Sequence, residues 1–210
     1  MNVKGKTAEI IRRLRKEYPE PKTALNYKSP FELLVATVLS AQTTDVHVNR
    51  VTEKLFKKYR TIKDYADVPL DILRKDISSI NFYNNKGKNI QASAKMIIGK
   101  FNSKVPETMD ELITLPGVAR KTANIILSNV YGINEGIAVD THVKRLAGRL
   151  GLTKNEDPVK IEKDLMALTP KEEWGNISHL LIFHGRKTCQ AKKPNHKECV
   201  LYDICPSNNI

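Results

Sequence analysis

Ser29-Pro30-Phe31-Glu32-Leu33-Leu34-Val35-Ala36-Thr37-Val38-Leu39-Ser40-Ala41 is the stretch whose character settles the architecture. From Phe31 to Ala41 the side chains are apolar nearly all round. A helix with no polar face is stable only when other elements surround it, so this one is expected at the centre of a helical domain. Gln42-Thr43-Thr44-Asp45 follows, an abrupt switch to polar groups. Residues in that position serve either as turn chemistry or as functional groups on a rigid support.

Outward from this helix the periodicity stays helical. Pro69 precedes Leu70, Leu73, Ile77 and Ile80, and Pro106 precedes Met109, Leu112 and Ile113, with Pro116 as the boundary. Asp157-Pro158 is an N-cap and first-turn proline ahead of Ile161, Leu165 and Leu168, and Val143, Leu146 and Leu150 mark one more stripe. No run alternates with period two between turn signals, so the fold class is all-α.

The chain has 210 residues, room for one large domain or two small ones at ~150 residues per domain. Apolar residues make up 40% and charged residues 28%, which excludes a disordered or fibrous chain. No uncharged stretch approaches the ~20 residues a membrane span requires, and the N-terminus lacks the apolar core of a signal peptide. Lys and Arg total 35 against 23 Asp and Glu, a net charge of +12, which points to a polyanionic partner, nucleic acid first. Residues 1–22 carry 7 basic and 3 acidic groups, residues 23–134 carry 16 and 10, and residues 135–210 carry 12 and 10, so the partner surface is expected on the first two segments. Three cysteines all lie after residue 188, a pattern of a cytosolic metal cluster rather than a disulfide framework.

Leu115-Pro116-Gly117-Val118-Ala119-Arg120-Lys121-Thr122-Ala123-Asn124 joins two helices through a Pro-Gly turn. Gly117 permits backbone geometry closed to other residues, and the helix N-terminus that follows suits a phosphate. Such a hairpin can grip a DNA backbone without reading sequence, although an ordinary αα-hairpin has the same outline. Lys121, with Asn124 and Ser128, makes a stripe that could be a solvated helix face. Its place in the first helical turn beside Arg120 destabilises the ammonium, which is a route to a nucleophilic amine. Asp140 in Gly136-Ile137-Ala138-Val139-Asp140-Thr141-His142 precedes a helix and reads first as its N-cap, second as a carboxylate facing a cationic transition state or a lysine.

Gln42, Leu115-Pro116-Gly117-Val118, Lys121 and Val139-Asp140-Thr141-His142, in this order, resemble the endonuclease III family of DNA glycosylases, and the likeness runs from Ser29-Pro30-Phe31 to the cysteine segment. The resemblance implies a six-helix barrel over residues 23–134, and a second helical domain from residues 1–22 and 135–210 that carries a cluster loop. A DNA cleft would lie between the two. It implies a bifunctional enzyme that excises oxidised pyrimidines from damaged double-stranded DNA and nicks the abasic site, acting as a cytoplasmic monomer with no membrane partner. Lys121 would attack C1′ of a flipped nucleotide, and Asp140 would accept the lysine proton or stabilise the sugar cation. Gln42 would fill the gap left by the flipped base. Phe82, in Ile80-Asn81-Phe82-Tyr83-Asn84-Asn85-Lys86, would be a second wedge, and Asn81 stands where many members have glycine. Leu115, Gly117, Val118, Ala119 and Arg120 would form the DNA-binding hairpin, with Asp45 and His142 near the active site.

The family's cluster motif is Cys-x6-Cys-x2-Cys-x5-Cys, and here it reads Cys189-x6-His196-x2-Cys199-x5-Cys205. A [4Fe–4S] cluster with His196 as fourth ligand is expected, since imidazole ligates iron in Rieske centres. Three cysteines and a histidine also suit zinc, and a lost cluster is a further alternative. Two other functions compete: a monofunctional mismatch glycosylase, whose members typically lack the lysine, and a non-catalytic DNA-binding module.

Overall fold

Proline at the first helical position and Ser29, whose Oγ accepts from the Glu32 N–H, start helix α2 (Pro30–Ser40). Its residues Phe31 and Leu33 to Leu39 are all buried, Thr37 among them, as an all-round apolar helix requires. The computed structural model describes residues 2–209; Met1 and Ile210, the outermost residues of the expected second domain, lie outside them. Among the described residues the regular elements are helical and there is no strand.

Two compact units divide the chain, residues 24–132 and residues 1–23 with 133–210. In the first, α2 packs against α3 (Asp45–Lys58), α6 (Tyr83–Lys100) and α8 (Arg120–Ile126), while α4 (Ile62–Asp67) and α5 (Leu70–Asp76) lie on α6. The short α7 (Met109–Leu112) packs on α8. Local chemistry fixes the starts: Thr44 and Thr108 cap α3 and α7, and Thr61 with Asp64 forms a capping box on α4.

Two elements are shorter than their apolar spacing suggests. Helix α5 stops at Asp76, and Ile77 and Ile80 are buried from the turns that follow it. Helix α7 is opened by Thr108 rather than Pro106, and Ile113 is exposed. After α8 the chain widens into a π-helix, Leu127–Tyr131, which the 3.6-residue stripe gave no sign of. Tyr27 Oη donates to the Asn129 carbonyl at 3.2 Å, and Asn129 Nδ2 donates to the Ile125 carbonyl at 2.8 Å, which holds the wider turn.

The second unit joins the chain ends. Ile10, Ile11 and Leu14 of α1 (Val3–Glu17) share one core with Val143 and Leu146 of α9 (Thr141–Arg149), Ile161 and Leu165 of α10 (Pro158–Leu168), and Ile177, Leu180 and Leu181 of α11 (Trp174–Lys187). Arg13 reinforces that closure, pairing with Glu9 and Asp203 and donating to the Val200 carbonyl at 3.0 Å. Burying an aliphatic side chain stabilises by ~1.5–3 kcal/mol, so both units rest mainly on these apolar contacts. Leu34→Ala, at a site with no exposure, is expected to lower the unfolding free energy by ~2–5 kcal/mol. Denaturant titration checks it, with Leu34→Met expected to cost less than ~1.5 kcal/mol.

Candidate active site

In the first unit, the chain between α7 and α8 turns through Pro116 and Gly117. Gly117 has φ +81°, and a Cβ there would stand 2.9 Å from Asn89 Nδ2, so both the backbone and its surroundings require glycine. The Val118 N–H donates to the Leu115 carbonyl at 3.0 Å, and Ser93 Oγ of α6 donates to the Pro116 carbonyl at 2.9 Å. Leu115 and Val118 are buried, so their side chains anchor the hairpin and only their main chain can meet a ligand. The N-cap of α8 is Ala119, which has no side-chain acceptor, and the helix starts without a side-chain cap. Its positive end is therefore open to an acceptor from outside. Arg120 and Lys121 are exposed on this first turn, and Asn124 is buried one turn on.

Two more candidate residues in this unit have unusual backbone geometry. Gln42 and Phe82 are left-handed, at φ 55° and 58°, although neither is glycine. Both are exposed, and Phe82 keeps 62% of its surface in water. Asp45 opens α3 directly after the cap residue Thr44. Lys86, in the first turn of α6, is buried and reaches back to the end of α2, donating to the carbonyls of Leu39 at 2.8 Å and Ala41 at 2.5 Å. Burial lowers its pKa, while the negative end of α2 favours its charge.

In the second unit, Asp140 is indeed the N-cap of α9: Oδ1 accepts from the Val143 N–H at 2.8 Å. The cap uses one carboxylate oxygen and leaves the other for further chemistry. The approach is fixed by Ser178 Oγ, which donates to the Ala138 carbonyl at 2.8 Å. His142 is half-buried, and desolvation lowers its pKa. Arg145 Nη2 lies 3.2 Å from His142 Nδ1 and donates to the carbonyls of Gly185 and Cys189.

Cys189, Cys199 and Cys205 are free, partly buried thiols that line one small cavity together with His184, His196 and Tyr202. Burial, with the two neighbouring thiols, raises the Cys199 pKa. Arg149 Nη1 donates to Cys189 Sγ at 3.2 Å and to the Gln190 carbonyl at 2.8 Å, a positive charge beside a candidate thiolate. His196 lies edge-on to Tyr202, ring centroids 6.1 Å apart. Among the described residues, no three His, Cys, Asp or Glu side chains gather closely enough to hold a single metal ion. Three thiols and an imidazole on one cavity are donor chemistry that suits an iron–sulfur cluster or a zinc ion.

The four cluster positions share one cavity, and Asp140 and His142 share one helix start; Lys121 belongs to the first unit and Asp140 to the second. Reading the sequence did not find Arg145, Arg149 or His184. The spacing of the two arginines, one turn apart on α9, was a usable signal. His184 Nε2 sits 3.5 Å from Cys199 Sγ, and its neutral form is favoured by burial, which lowers its pKa to about 4.

Residues 35–171 match the model of the HhH-GPD superfamily of base excision DNA repair proteins. The chain is 49% identical to endonuclease III of Synechocystis sp. over 97% of this chain and 93% of that one. It is 40% identical to endonuclease III of Escherichia coli (strain K12), over 96% of this chain and 95% of that one. A solved structure of a trapped endonuclease III–DNA covalent intermediate superposes with a TM-score of 0.93 at 45% identity, covering 99% of this chain and 98% of that one. Such identity over almost the full length of both chains carries more than the fold alone: the chain belongs to the endonuclease III family, within the HhH-GPD superfamily of base excision DNA repair proteins.

Proposed function

We infer that the chain is a bifunctional DNA glycosylase and abasic-site lyase of base excision repair, acting on oxidised pyrimidines in duplex DNA. The observation that carries this is Lys121, exposed on the first turn of α8 directly after the Gly117 hairpin, in a chain of this family. A cytoplasmic place beside the chromosome goes with that work.

In this reading the duplex is held through its phosphates by the main chain of residues 115–120 and the positive start of α8, which binds without reading bases. The damaged nucleotide is flipped, a step costing a few kcal/mol and least for weakened pairs. Gln42 and Phe82 occupy the space it vacates. Lys121 Nζ attacks C1′, the bond from C1′ to the base breaks, and the base departs with the electron pair. Asp140 takes the lysine proton or steadies positive charge on the sugar through the oxygen not used in the cap. In the lysine adduct the C1′–O4′ bond breaks, O4′ takes up a proton and C1′ and Nζ form a protonated imine. A C2′ proton is then lost and the C3′–O bond breaks by β-elimination, the 3′ phosphate leaving with the electron pair. Water then releases Lys121.

A [4Fe–4S] cluster is implied by the family, and Cys189, Cys199, Cys205 and His196 are proposed to hold it, with Arg149 offsetting thiolate charge. When bound, such a cluster orders its loop; no step of the reaction passes through it.

Borohydride is expected to trap a covalent adduct between the protein and duplex carrying an oxidised pyrimidine, and Lys121→Gln to abolish it. Salt-sensitive binding with no base release from any lesion would sink the enzymatic reading. Gly117→Ala is expected to weaken binding to damaged and undamaged duplex alike, by ~10-fold, because it removes a phosphate grip and not a base contact. Purified protein should be brown, with about four irons and four sulfides per chain. His196→Ala should lose most of the iron and His196→Cys keep it; a colourless, zinc-loaded protein would overturn the assignment.

A further inference from the structure

Gln42 and Phe82 are 40 positions apart in the chain, yet they are parts of one polar assembly. Asn81 Nδ2 donates to the Gln42 carbonyl at 2.6 Å. Lys86 Nζ joins the start of α6 to the Leu39 and Ala41 carbonyls, immediately before Gln42. His47 Nε2 lies 3.0 Å from the Ser79 carbonyl, a third tie between the same two segments. The two turns they join are the left-handed ones at Gln42 and Phe82.

Left-handed backbone is strained for a non-glycine residue, and an exposed turn relaxes out of it unless its surroundings hold it. The ties supply that hold. Asn81 is the important member because its side chain bridges the two turns directly, where Lys86 braces only the stem beneath Gln42. Both side chains are exposed, so fixing one turn against the other limits how far apart the two can stray. Ordering them beforehand removes that entropy cost from binding.

We propose that Asn81 is a positioning residue that locks the Gln42 and Phe82 turns into a single two-pronged wedge, entering the duplex as one body. This rests on the reading of Gln42 and Phe82 as wedge residues. Two rigidly joined prongs gain their contacts together, so losing either forfeits much of what the other contributes. Two independent prongs would lose theirs separately.

The test is affinity for a duplex carrying a tetrahydrofuran abasic analogue opposite 2-aminopurine, read by anisotropy and by 2-aminopurine fluorescence. Gln42→Ala and Phe82→Ala are combined singly and together, with and without Asn81→Ala. In the Asn81 background each single truncation is expected to weaken binding ~10-fold and the pair little more than either alone. With Asn81→Ala the two losses should multiply, and the fluorescence rise at saturation should shrink. Borohydride trapping on single-stranded abasic DNA, which has no stack to enter, should be unchanged by Asn81→Ala. Losses that multiply equally in both backgrounds would overturn the locking role and leave the wedge reading standing. No loss from either truncation would sink the wedge reading and the lock with it.

Discussion

The first unit depends on a helix that has no side fit for water. Because Phe31 and every residue of α2 from Leu33 to Leu39 are buried, α3, α6 and α8 must close around it, and that packing fixes the directions in which their ends point. What leaves the core at its C-terminal end is therefore placed accurately. Gln42 follows two residues after Ser40, and the open carbonyls of that end are met by Lys86. A buried ammonium without a carboxylate among its described contacts is unusual, but here the helix itself supplies the negative pole. Packing and electrostatics thus act on the same few residues, and the exposed turns inherit their order from the interior.

In the second unit, one side chain answers to two requirements. Asp140 caps α9 through one oxygen, and the second oxygen stays out of the cap. Farther along α9, Arg145 and Arg149 hold the segment from Gly185 to Ala191 by its carbonyls and the Cys189 sulfur. A single helix therefore carries the carboxylate at its start and grips the cysteine loop with its later turns. That loop is held by charge and hydrogen bonds as much as by apolar contact, as its basic composition requires.

Much of this was legible in the residues. Full-circle apolarity places α2, Asp157-Pro158 marks the start of α10, Asp140 reads as the cap of α9, and hairpin, lysine and Asp-Thr-His read together as the candidate site. What escaped depended on contacts distant in sequence. The π-helix rests on Tyr27 reaching Asn129 across 102 positions, which no local periodicity can report. Ile77 and Ile80 kept the helical spacing while the chain was already in turns, because burial alone fixes their apolarity. Leu115 and Val118, taken from the motif as DNA contacts, have buried side chains, since a motif marks positions without saying which atoms face outward. Asn81 gave no hint in the sequence that its amide would find a carbonyl 39 positions away.

The division of the chain has a consequence for its birth. Residues 24–132 form a contiguous unit, whereas α1 shares its core with residues beyond 136. During synthesis α1 emerges before residues 24–132 and waits, its Ile10 and Leu14 without their final neighbours, while the segment behind it folds. The cysteine segment follows residues 24–132 in the chain, so the core that α1 shares with it closes only after that contiguous unit has been made.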